Sequence, residues 1–144
     1  MTGLLSVLLL FALAGGAAAQ DRSPCTGSVK VDGTLVREAH HCTANWYMSD
    51  GKEKVHVEVA DAKGDTIAHL YWTWKNGSLY EMVLSEKFPD GSEYNHSLDP
   101  KKAPPQIEGG RITFSVNGTA KVGKKPQTWG LSAQNVRIRD YKKK

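Results

Sequence analysis

Residues 54–86, KVHVEVADAKGDTIAHLYWTWKNGSLYEMVLSE, read as three antiparallel strands joined by two short turns. Val55, Val57 and Val59 alternate with His56 and Glu58, the period of two of a strand with one buried and one wet face. In residues 66–74 the side chains Ala68, Leu70, Trp72 and Trp74 share one face, and Ile67, His69, Tyr71 and Thr73 share the other. Bulk on both faces places this strand mid-sheet or between two layers. Asn76-Gly77 is a pair that tolerates positive φ in a two-residue hairpin turn. Residues 79–84 continue as the third strand, with Tyr80, Met82 and Leu84 on its stronger face.

Towards the N-terminus, Val29 and Val31 mark a strand that Asp32-Gly33 turns back. Residues 34–42 then read as a strand, although Leu35, Val36 and Ala39 behind a Thr34 cap also suit a helical turn. Trp46 and Tyr47 lead to a turn at Asp50-Gly51. Towards the C-terminus, Phe88-Pro89-Asp90-Gly91 is a tight turn, after which the pattern thins. Residues 99–110, DPKKAPPQIEGG, hold three prolines and two glycines in twelve positions and read as a loop. Ile112, Phe114 and Val116 face inward on the next strand, and Asn117-Gly118 turns it into residues 119–122. A polar loop over 123–130 carries Trp129, and a last strand over 133–140 points Val136 and Ile138 inward. Seven to nine short strands with turns about every ten residues, and no long amphipathic helix, predict an all-β antiparallel β-sandwich or half-open barrel.

Residues 4–14, LLSVLLLFALA, are too short an apolar run to span a bilayer comfortably. Followed by the small residues Ala17-Ala18-Ala19, they read as a secretory signal peptide over 1–19, leaving 20–144 as one secreted or cell-envelope domain without a membrane span. In that oxidising setting Cys25 and Cys42 pair as a disulfide, closing a loop of about 18 residues and contributing about 3 kcal/mol. The formal charge of +4 lies wholly outside the leader. Lys101-Lys102, Lys124-Lys125 and Lys142-Lys143-Lys144 suit an anionic surface, or simply a solvated one, and nothing points to specific nucleic-acid recognition.

No nucleophile elbow, phosphate loop or His-Glu-x-x-His is present, and Glu58, Asp61, Glu81 and Glu86 are available carboxylates with nothing to pair them. His56 and His69 lie on neighbouring strands and point away from the valine face, so they can meet across the hairpin, with Glu58 near enough to suggest a metal. Solvated polar residues on a wet face are the commoner explanation, and neither a metal nor a cofactor is assigned. Tyr71 shares that face, and with His56, His69 and the loop residue Trp129 it forms the candidate ligand-binding set, since exposed rings stack on sugars, bases or apolar ligands. A second core layer is the competing explanation. Asn76, Asn95 and Asn117 each open an N-x-Ser/Thr sequon, predicting N-glycans in a eukaryotic secretory pathway.

The order Val29-Lys30-Val31-Asp32-Gly33, Cys42, residues 55–59 with Asp61-Ala62-Lys63-Gly64, then residues 112–116 leading into Gly118-Thr119-Ala120, resembles the actinobacterial lipoprotein-antigen family. The resemblance implies a small, β-rich envelope protein without enzymatic activity. Two departures limit what carries over. Leu13-Ala14-Gly15 is followed by Gly16 where the family's lipobox has its lipidated cysteine, so no such anchor forms. The family's middle cysteine also pairs near the C-terminus, where this chain has none, which leaves Cys42 to Cys25. The expected function is a monomeric, non-catalytic binding protein for a small molecule or protein partner. The alternatives are an enzyme inhibitor that inserts the 99–110 loop with Lys101 and Lys102, and a small metal-dependent hydrolase.

Overall fold

A computed structural model describes residues 22–143, and the leader assigned to residues 1–19 lies outside them. The described chain is all β, with strands β1 (Ser23–Val31), β2 (Thr34–Glu38), β3 (His41–Ser49), β4 (Lys52–Ala60), β5 (Thr66–Lys75), β6 (Ser78–Lys87), β7 (Glu93–Leu98), β8 (Gln106–Glu108), β9 (Arg111–Val122) and β10 (Lys125–Arg139). They form one open sheet in the order β7-β6-β5-β4-β3-β1-β10-β9-β8, with β2 paired to β1. Pairing is antiparallel except where Ile138 and Arg139 of β10 run parallel to Ala44 and Asn45 of β3. The two halves fold over each other, bringing the Trp72 ring of β5 within 5.4 Å of the Phe114 ring of β9, centroid to centroid. No helix among the described residues is long and apolar enough to cross a membrane.

The central hairpins follow the alternation of the sequence. Val55, Val57, Val59, Ala68, Leu70, Trp72, Met82 and Leu84 are all buried on one face. Asp32-Gly33, Asp50-Gly51 and Asn76-Gly77 each take positive φ at both positions, as two-residue turns between right-twisted strands require. Residues 34–38 form a strand, not a helical turn. The Cys25–Cys42 disulfide is present, with its Cα atoms 5.7 Å apart, where β1 leaves β3 and crosses to β10. Gly27 makes that crossing possible: a Cβ there would lie 1.8 Å from the Gly130 carbonyl oxygen. On the opposite strand, β10 bends through an irregularity between Ala133 and Val136, with Asn135 at φ 52°. Its freed N–H donates to Thr113 Oγ1 at 3.0 Å and its carbonyl accepts from Arg111 Nη1 at 2.9 Å.

Five details differ from the sequence reading. Among the described residues the strands number ten because β7 and β8 arise where alternation is weak or prolines crowd the chain. A register shift between Thr73 and Trp74 skips Tyr80, which leaves it exposed while Met82 and Leu84 stay buried. The same device at Val59/Ala60 buries Ile67 beside Ala68. Asn117-Gly118 lies inside β9, and the turn comes at Gly123-Lys124 instead. Beyond that turn, residues 125–130 of the predicted loop 123–130 begin β10, so Trp129 is a strand residue facing the interior.

Candidate ligand-binding site

The outer face of the β3–β4–β5 hairpins gathers three of the four residues expected to bind a ligand. Register sets Asn45 opposite His56, His56 opposite Tyr71, and Glu58 opposite His69. His56 Nδ1 lies 3.1 Å from Asn45 Oδ1, and His56 Nε2 lies 2.8 Å from His69 Nδ1. The Tyr71 ring stacks on His56 with centroids 4.7 Å apart and planes 13° apart. All three rings are half-buried. Burial, and the second imidazole, pull His56 down to about 4, and burial also lowers His69. Glu58 accepts from the Thr66 hydroxyl at 3.1 Å. Among the described residues no group of three or more metal-ligating side chains is placed to hold an ion.

Trp129 is not part of this face. It lies between the two halves of the sheet, 5% exposed, with its ring stacked on His96 of β7 at a centroid distance of 4.6 Å. Behind His96 is Glu86, whose side chain is 1% exposed. Glu86 Oε2 meets His96 Nε2 at 3.2 Å and accepts a second, short hydrogen bond from Gln127 Nε2. Burial raises the Glu86 carboxyl above its ordinary value, the bonds to His96 and Gln127 opposing the shift only in part. Glu86 Oε1, Gln127 Oε1 and Trp129 Nε1 are buried without a hydrogen-bond partner. Buried polar atoms are almost always paired, so three orphans in one cluster are an unusual concentration.

This cluster backs a cleft of about 530 Å³ lying between β7 and β9, where the sheet fails to close. Met82, Leu98 and Val116 supply the apolar part of a mostly polar wall, His96 and Trp129 supply rings, and Lys102 stands at its margin. Gly118 lines it too, and only a hydrogen fits there: a Cβ would come 2.6 Å from Trp129 Cζ2. The sequons Asn95 and Asn117 are exposed and flank the cleft, whereas Asn76 is at the distant β5–β6 turn. A larger depression of about 710 Å³ covers Thr26, Ser115 and Ser132, but there Thr26 and Ser132 hydroxyls satisfy each other at 2.9 Å. It is lined by none of the orphaned atoms.

Glu86, His96 and Gln127 went unnoticed as a group in the sequence. Glu86 shares the parity of Met82 and Leu84, which places a carboxylate on a core face; that was the available signal. His96 and Gln127 gave none, since 31 residues and two strands separate them in the chain. No protein-family model, curated protein or solved structure matches this chain.

Proposed function

We propose that this chain is a secreted or cell-envelope binding protein, non-catalytic and monomeric, that takes a small amphipathic ligand in the β7–β9 cleft. The observation that carries this reading is the stacked His96–Trp129 pair on the cleft wall, backed by the buried and incompletely bonded Glu86–Gln127 pair. A ligand ring has the His96 edge and the apolar part of the wall to lie against, in front of a buried pair whose own hydrogen bonds are unfinished. With Nε2 committed to Glu86, His96 Nδ1 is the ring nitrogen left for the ligand. The orphaned Trp129 Nε1–H is buried just behind the same wall. The envelope setting rests on the apolar leader and on the resemblance to lipoprotein antigens.

The test is a fragment set of small aromatic amines, alcohols and acids, screened by ¹H–¹⁵N correlation spectra of the labelled domain. Binding is expected to shift Leu98, Val116, Gly118 and the Trp129 indole N–H together. Shifts confined to His56, His69 and Tyr71, or no binder in the set, would overturn the placement. A second reading, an enzyme inhibitor, has one observation in its favour. Asp99 holds a tight turn, accepting from Lys101 N at 2.9 Å and Lys102 N at 3.2 Å, and both lysine side chains are exposed on it. Neutralising Lys101, which does not line the cleft, removes inhibition on that reading and leaves fragment binding in the cleft on the first.

A further inference from the structure

His56 and His69 take no part in the proposed cleft. We propose that they form a two-imidazole site for Cu(II) on the outer face of β4 and β5, completed by water. The donor set selects the ion, and the hydrogen-bonded spacing of the empty site is compatible with it. Two nitrogens about 2.0 Å from one metal stand about 2.8 Å apart when adjacent in a square-planar set, and about 3.3 Å apart in a tetrahedral one. His56 Nε2 and His69 Nδ1 are 2.8 Å apart. The donors are two imidazoles with no thiolate, and among the first-row divalent ions Cu(II) binds such nitrogens most tightly and favours the planar arrangement.

The surroundings prepare one ring. Asn45 Oδ1 can only accept, so His56 Nδ1 carries its proton and Nε2 presents a lone pair, the outer-shell arrangement that orients a metal-bound imidazole. His69 Nδ1 must donate to that lone pair in the empty site. On binding, its proton moves to its own Nε2 through solvent, both lone pairs turn to the ion, and no net proton is released. The stacked Tyr71 ring limits the swing of His56. Glu58 opposite His69 adds a favourable negative charge but is tied to Thr66, while Arg139 and Lys87 oppose the ion.

The experiment is Cu(II) added to the purified, folded chain at neutral pH, followed by calorimetry and electron paramagnetic resonance. One ion with hyperfine splitting from two nitrogens is expected. His56→Gln or His69→Gln should reduce the nitrogen count, and Asn45→Ala should weaken affinity about 10–100-fold. Exchanging the exposed His40 and the half-buried His41 for glutamine should change nothing. In the unsubstituted protein, paramagnetic broadening should centre on Asn45, Glu58 and Tyr71, a readout that does not depend on any variant folding. Broadening centred on His40–His41, a single-nitrogen spectrum, tighter binding of Zn(II) than Cu(II), or no binding would each overturn the proposal.

Discussion

Gly118 and Gly130 occupy neighbouring rungs of the β9–β10 ladder, opposite Trp129 and Asn117 respectively, yet a methyl group meets different surroundings at each. On Gly118 it would lie 2.6 Å from Trp129 Cζ2 and 2.9 Å from Cε2; on Gly130 it would meet nothing within 4 Å. Carbon atoms settle about 3.5–4.0 Å apart, so Gly118→Ala must displace the indole by about 1 Å. The ring is buried and already stacked on His96, which leaves it little room. Overpacking of this kind costs about 1–3 kcal/mol. Gly130→Ala has no clash and no positive φ, and should instead stabilise by about 0.4–1 kcal/mol by restricting the unfolded chain.

The two variants should therefore differ by about 1.5–4 kcal/mol, with opposite signs relative to the parent. Urea unfolding followed by circular dichroism measures this, and about 3–5 °C of Tm per kcal/mol gives an independent check for a domain of this size. Tryptophan fluorescence of folded Gly118→Ala should also change, because the Trp129–His96 stack is what gives way. Equal stabilities for the two variants, or a destabilised Gly130→Ala beside an unaffected Gly118→Ala, would refute the packing argument.

Three further outcomes follow from the same geometry. The buried Glu86 titrates above its ordinary 4.5, so its contribution to stability is complete below that pH and is lost as pH rises through the higher folded value. Glu86→Gln should flatten that decline in urea melts across the pH range, and an unchanged slope would sink the assignment. His56, pulled down from 6.5 to about 4, contributes in the other direction: its share is complete above pH 6.5 and is lost as pH falls towards 4. An NMR titration of its ring protons should give a midpoint of about 4, and a midpoint at the ordinary value would show that burial does not govern it. Reducing the Cys25–Cys42 disulfide should lower stability by about 3 kcal/mol in urea, a reading contradicted by coincident curves with and without reductant.

How much could be read beforehand depended on whether local pattern or distant packing decides a residue's place. The 54–86 meander was legible because Val55, Val57 and Val59 alternate strictly with polar residues and Asn76-Gly77 favours a turn. The meeting of His56, His69 and Tyr71 was legible for the same reason, since one hairpin fixes all three. Asn117-Gly118 misled because the pair that favours a turn also suits a strand position pressed against an indole, a reason visible only with Trp129 in place. Edge strand β7 was hidden because its exposed face is polar and only His96 and Leu98 turn partly inward. Trp129 follows a polar run that reads as a loop, yet Pro126 within that run is the second residue of β10.

The Glu86 cluster separates stability from binding more sharply than any single site. A buried ion pair or carboxylate often adds nothing to stability that well-packed apolar groups would not supply, and exchange of the whole group can stabilise by about 1–4 kcal/mol. Replacing Glu86 and Gln127 together by leucine removes two orphaned acceptors and leaves His96 with some access to solvent, since its side chain is 12% exposed. If the cluster serves a ligand, the double variant should fold with equal or greater urea stability and lose fragment shifts at the Trp129 indole. Changing Glu86 alone to leucine is the harsher step, because Gln127 Nε2–H then loses its acceptor in the core, which costs about 1–3 kcal/mol. A double variant less stable than that single one, with cleft binding intact, would make the polar group a structural clamp between β6, β7 and β10, and the functional reading would fall with it.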